Sequence, residues 1–118
     1  APQVTWADQQ NINKFGRFHT RSKEIEQELE KMNAELALLN DTSGDIDNLL
    51  DDGYVKVKIG EIFFEVDNDE GKKLVKDIIG KKEAEKQTLL KEQEDLQVEL
   101  NALKKDLYSK FGESIHLD

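Results

Sequence analysis

Residues 24–53 and 67–107 contain no Phe, Trp or Tyr. Aromatic side chains are confined to three places: Trp6, Phe15 and Phe18 near the start, Tyr54, Phe63 and Phe64 at the middle, and Tyr108 and Phe111 near the end. The stretches between are charged and carry Leu, Ile, Met and Val at spaced positions. From Ile25 the first stretch continues through Leu29, Met32, Leu36 and Leu39, in steps of four, three, four and three. That spacing is the a/d seam of a coiled coil. Ser22 interrupts it, Phe15 and Phe18 precede it, and Lys23, Glu24, Glu28, Glu30, Lys31 and Glu35 form a solvated opposite face. The second stretch opens a seam with Leu74, Val75, Ile78 and Ile79, and resumes it with Leu89, Leu96, Leu100, Leu103 and Leu107. Lys82, Lys86 and Gln93 lie on the same stripe, which predicts a weaker seam there.

Composition agrees with helices more than with a globule. Of 118 residues, 36% are hydrophobic and 36% charged, and the mean hydropathy is −0.73. A compact domain runs nearer half apolar and about a quarter charged. Such a chain builds no large core alone, so pairing with itself or with partners is expected to supply much of its stability. The net charge of −9, with Arg17 and Arg21 the only arginines, argues against nucleic acid, whose binding rests on Lys and Arg contacts to phosphate. No apolar run is long enough for a bilayer and no signal peptide is recognisable, so no membrane is expected. The absence of cysteine fits a reducing, cytoplasmic compartment.

Thr5 with Asp8 makes a helix N-cap, which starts a helix over 5–50. Asn40, Asp41, Thr42, Ser43, Gly44 and Asp45 interrupt its pattern. Either the helix breaks near 41–45, or it runs on, because Ile46 and Leu50 keep the heptad phase. Aspartates 41, 45, 47, 51 and 52, with no basic residue among them, oppose the dipole at the end of one long helix and favour the break. Residues 54–66 alternate as a β-hairpin, with Gly60-Glu61 suited to a type II′ turn. That register pairs Ile59 with Ile62, Val57 with Phe64 and Val55 with Val66 on one apolar face. Lys56 meets Glu65, and Lys58 meets Phe63, on the other. A lone two-stranded hairpin with an apolar face is unstable in water, so other subunits are expected to cover it, and closing such hairpins into a barrel protects their edges. Replacing Val57 and Phe64 with Asp is therefore expected to abolish assembly. A second helix covers 69–111, capped by the segment from Asp67 to Glu70, ended by Gly112 and followed by a tail over 112–118. Helices of similar length on either side of the hairpin are expected to lie antiparallel. The fold class is thus mainly α, a long antiparallel helical hairpin with one central β-hairpin that joins an intersubunit β-barrel, in a single domain.

Helix, central hairpin, helix is the plan of β-class prefoldin subunits. The chain resembles that family over nearly its whole length, most specifically at its two ends. These are the run from Val4-Thr5-Trp6 through Gln9-Gln10-Asn11-Ile12-Asn13-Lys14-Phe15, and the run Leu107-Tyr108-Ser109-Lys110-Phe111-Gly112-Glu113-Ser114-Ile115-His116-Leu117. The aspartate-rich segment before Ile59-Gly60-Glu61 is similar too, while Ala7 departs from an expected acid. The resemblance implies an ATP-independent co-chaperone, a hexamer with two α-class and three further β-class subunits beside this one. In that plan the hairpins form a double β-barrel and coiled-coil tips hold unfolded chains, notably nascent actin and tubulin, for the cytosolic chaperonin.

On this reading Val55, Val57, Ile59, Ile62, Phe64 and Val66 form the oligomer interface. Trp6, Ile12, Phe15, Phe18, Leu107, Tyr108, Phe111, Ile115 and Leu117 are the candidate client contacts. Phe15 and Leu107 fit seam positions and serve equally to close the end of the coiled coil. Trp6, Ile115 and Leu117 lie outside the seams and are expected to be exposed. The alternative is a coiled-coil adaptor that oligomerises through its hairpin and recruits a basic partner to its acidic surface. No catalytic constellation is recognisable: there is no cysteine nucleophile, nucleophile elbow or phosphate-binding glycine loop, so the chain is not expected to be an enzyme or to need a cofactor. The aspartates lack the glycine that a calcium loop needs at its sixth position. His19, His116 and Glu113 do not make a zinc site, so no metal is expected.

Overall fold

The computed structural model describes residues 3–47, 54–59 and 61–117, and for residues 54, 55, 57, 59 and 64 the backbone alone. Helix α1 spans Trp6–Asp47, strand β1 Tyr54–Ile59, strand β2 Ile62–Asp67 and helix α2 Asn68–Phe111, followed by a 3₁₀ turn at Gly112–Ser114. The chain divides into a terminal unit, Ala1–Glu28 with Thr88–Asp118, and a central unit, Leu29–Gln87. Each helix contributes to both.

The helix ends follow local chemistry. At the start of α1 the Asp8 backbone N–H donates to Thr5 Oγ1 at 3.1 Å, and the Thr5 N–H donates to Asp8 Oδ2 at 2.9 Å. This reciprocal pair satisfies two donors that a helix N-terminus leaves unpaired. At the start of α2 the Glu70 N–H donates to Asp67 Oδ1 at 2.8 Å, the same solution with a single carboxylate. Gly112 ends α2 with φ +55°, a left-handed conformation that glycine adopts without a Cβ penalty.

The break expected near 41–45 is not there: α1 is continuous to Asp47. Ile46 lies one heptad after Leu39 and is buried with Leu39 and Val75, with Val66, Ile78 and Ile79 packed around them. Continuity of the helix is what holds Ile46 in that cluster, and its burial offsets the acidic end and Gly44. Thr42 is absorbed as well, its hydroxyl donating to the Leu38 carbonyl at 3.0 Å. A Cβ at Gly44 meets nothing within 4 Å. Gly44→Ala is therefore expected to raise stability by about 1 kcal/mol, read as a higher urea midpoint.

Ion pairs join the two helices within each unit. In the terminal unit Asp8 pairs with Lys110 and Arg21 with Glu92, so α1 and α2 run antiparallel there. In the central unit Lys82 Nζ donates to Glu35 at 2.7 Å. Glu35 thus belongs to the helix contact rather than to a solvated face, and its carboxyl is held below the ordinary value by the Lys82 ammonium. The buried a/d residues of α1 are those the spacing predicts, Ile25, Leu29, Leu36 and Leu39, with Met32 half-buried. In α2 no described residue between Val75 and Leu100 is fully buried. The polar stripe of Lys82, Lys86 and Gln93 lies in that interval, half-buried throughout.

Strands β1 and β2 pair antiparallel in the expected register, from Val55 opposite Val66 to Ile59 opposite Ile62. The turn type rests on Gly60, which lies outside the described residues.

Candidate functional site

The terminal unit gathers apolar side chains from both chain ends. Phe15 of α1 is buried with Leu100, Leu103, Leu107 and Phe111 of α2 and with Leu117 of the tail. Ile12, Phe18 and Ile115 pack against this cluster, partly buried. Two of the nine candidate contacts are exposed, Trp6 at 79% and Tyr108 at 36%. Val4, which the sequence reading passed over, is half exposed beside Trp6 in the chain. Leu117 departs from expectation: it is 5% exposed. Its N–H donates to the Tyr108 hydroxyl at 3.0 Å, which pins the tail to α2. Ile115 is half-buried rather than free for the same reason.

An open groove of about 570 Å³ runs between the two helices of this unit. Phe15, Leu90, Leu100 and Leu117 supply its apolar surface, Gln93, Gln97 and Asn101 line it with amides, and Lys23, Glu26, Glu94 and Lys104 add charge of both signs. His19 stands at its side, stacked on Phe15 with ring centroids 5.9 Å apart.

Asp8 ties the two chain ends together. The Lys110 ammonium, then the Thr5 N–H, hold its carboxyl below the ordinary value of 3.8. A depressed folded-state pKa adds stability that is complete above the unfolded value and is lost as pH falls through the lower, folded one. Wild type and Asp8→Ala are therefore expected to differ in urea midpoint at pH 6, and to converge as the pH is lowered below 3.8. A difference that persisted unchanged into that range would show that the carboxylate's charge is not the cause.

On the hairpin, Ile62 is 60% exposed and Phe63, on the opposite face, 65%. Lys58 Nζ lies 5.5 Å from the centre of the Phe63 ring, a cation–π contact that accounts for an aromatic on the charged face. Val66 is partly buried against Leu39, Ile46 and Val75 of its own chain, so this end of the expected interface is covered internally. The side chains of Val55, Val57, Ile59 and Phe64 lie outside the described residues. Among the described residues no helix is long and apolar enough to cross a membrane.

A family model described as prefoldin subunit matches residues 9–114. The chain belongs to the prefoldin family. Its curated relatives include prefoldin subunit 4 of Saccharomyces cerevisiae, 34% identical over 98% of this chain and 90% of that protein. Prefoldin subunit 4 of Homo sapiens is 34% identical over 98% of this chain and 87% of its own length. The prefoldin beta subunit from Thermococcus strain KS-1 has the same fold, with a TM-score of 0.77 over 92% of this chain and 96% of that one at 18% identity. Membership of the family supports a co-chaperone role and assembly with other prefoldin subunits.

Proposed function

We propose that this chain is one subunit of a cytoplasmic prefoldin hexamer, with two α-class and three further β-class subunits. Its hairpin joins an intersubunit barrel through Ile62 and the apolar positions sharing its face. Its terminal unit holds unfolded or nascent proteins of the actin and tubulin class, without nucleotide, and delivers them to the cytosolic chaperonin.

The observation that carries the reading is the make-up of the terminal unit. Aromatic and aliphatic groups from residues 12–18 and 100–117 come together there, and Trp6, in the first turn of α1, is 79% exposed. A large exposed aromatic on the same unit as an apolar cluster suits contacts of modest strength with varied partners, and several such contacts sum across subunits.

The test is suppression of aggregation. The assembled complex is expected to keep denatured actin from scattering light after dilution from denaturant, with no dependence on ATP. Trp6→Asp, at an exposed position, is expected to leave helix content unchanged and to weaken suppression several-fold. A coiled-coil adaptor does not keep an unfolded chain soluble, so failure of the wild-type complex would favour that reading instead.

A further inference from the structure

The end of the chain is held as a guest of the seam rather than as part of it. Beyond the 3₁₀ turn the backbone is extended at Ile115, with φ −134° and ψ 144°. In an extended chain alternate residues share a side. Ile115 is accordingly half-buried and Leu117 buried against the same cluster, while His116 between them is exposed. The hydrogen bond that fixes the segment runs from the Leu117 backbone N–H to the Tyr108 hydroxyl. Any residue but proline supplies that donor. Apart from two apolar side chains, nothing in this seating is specific to the tail's own sequence.

The groove continues the same surface. Leu117 lines it together with Phe15 and Leu100, and the amides of Gln93, Gln97 and Asn101 keep donors and acceptors beyond the bond that Gln97 Nε2 donates to Asn101 Oδ1 at 2.9 Å. Those amides suit the N–H and C=O groups of an extended backbone, which an unfolded chain presents whatever its sequence.

We propose that Ile115 to Leu117 occupy the place of an extended client segment with apolar residues two apart. The tail is then an internal competitor, which an unfolded chain displaces. This rests on the reading of the subunit as a holdase and says where, and in what conformation, it takes hold. Because the tail is tethered, its local concentration is high, and it lowers the apparent affinity for every incoming segment by the fraction of time the site is filled.

The experiment uses the full chain in its assembled complex and a fluorescein-labelled peptide of the sequence Gly-Glu-Ser-Ile-His-Leu-Asp, matching residues 112–118. Fluorescence anisotropy is compared between wild type and Ile115→Ser/Leu117→Ser, with a deletion of residues 115–118 as a second tail-released form. Both tail-released forms are expected to bind the peptide about tenfold more tightly than wild type. A control peptide with serine at both apolar positions is expected to bind neither. Tyr108→Phe in the tail-released background is expected to weaken binding about fivefold, the scale of one hydrogen bond. Equal affinity for wild type and both tail-released forms, or equal binding of the serine peptide, would overturn the proposal. Aggregation suppression, measured in parallel, separates the two readings. If wild type suppresses aggregation but no tail-released form binds the peptide more tightly, the competitor falls and the holdase stands. If no form suppresses aggregation while the peptides still discriminate, the holdase falls and the docking of an extended segment stands.

Discussion

Ile62→Asp is expected to leave the chain folded on itself and to remove it from the proposed hexamer. The side chain is 60% exposed, so within one chain the substitution breaks little packing. Surface substitutions of this kind usually change stability by less than about 0.5 kcal/mol. In the proposed barrel the same position would face covering strands, and an unpaired carboxylate buried there costs several kcal/mol. A change on the order of 4 kcal/mol in a subunit contact is roughly a thousandfold in its dissociation constant. Native mass spectrometry of the complex, with far-ultraviolet circular dichroism of the isolated chain, reads both halves of the expectation. Retention of Ile62→Asp in a hexamer would place the interface elsewhere. Phe63→Ser is the companion control. It is equally exposed but lies on the opposite face with Lys58, so it is expected to spare assembly.

Leu107→Ala is expected to destabilise the terminal unit by about 3 kcal/mol, within the range for a leucine removed from a packed core. Leu107 is 2% exposed and sits in the cluster with Phe15, Phe111 and Leu117. Part of the loss is transfer free energy and part is the cavity left between rings that relax incompletely. The variant is compared with wild type at one protein concentration, because partner binding adds to apparent stability. Leu38→Ala serves as the reference: it is also a helical leucine, but 70% exposed, and is expected to lie within about 0.5 kcal/mol of wild type. A small effect of Leu107→Ala would mean that the unit is not closed around this residue.

Much of the architecture was legible because independent signals agreed. The register of β1 and β2 follows from alternation, since a shift of one residue would send Val55, Val57 and Ile59 to the charged face. The caps at Thr5 and Asp67 follow from side chains that compete for free helix N–H groups. Other features were illegible for physical reasons. Around Gly44 the local signals favoured a break, while the heptad phase of Ile46 favoured continuity, and the decision came from a tertiary contact with Val75. Two apolar residues after the C-cap glycine carry no periodicity, so nothing local placed Leu117 inside the cluster. Glu35 with Lys82 and Asp8 with Lys110 are ion pairs set by interhelical register, which spacing within one helix does not reveal. Of the nine candidate contacts, seven lie in or against the cluster, Trp6 is exposed as expected, and Leu117 is buried where exposure was expected.

The Asp8 carboxylate serves two helix ends at once: it caps the first turn of α1 and accepts the ammonium of the last turn of α2. Helix ends ordinarily fray independently, each with its own small opening free energy. Here opening either end removes a partner from the other, so the two fraying equilibria are coupled. Hydrogen exchange would show this as protection that rises and falls together for amides 9–12 and 108–111, segments about a hundred residues apart in the chain. In Asp8→Ala the two sets of amides would exchange on unrelated timescales.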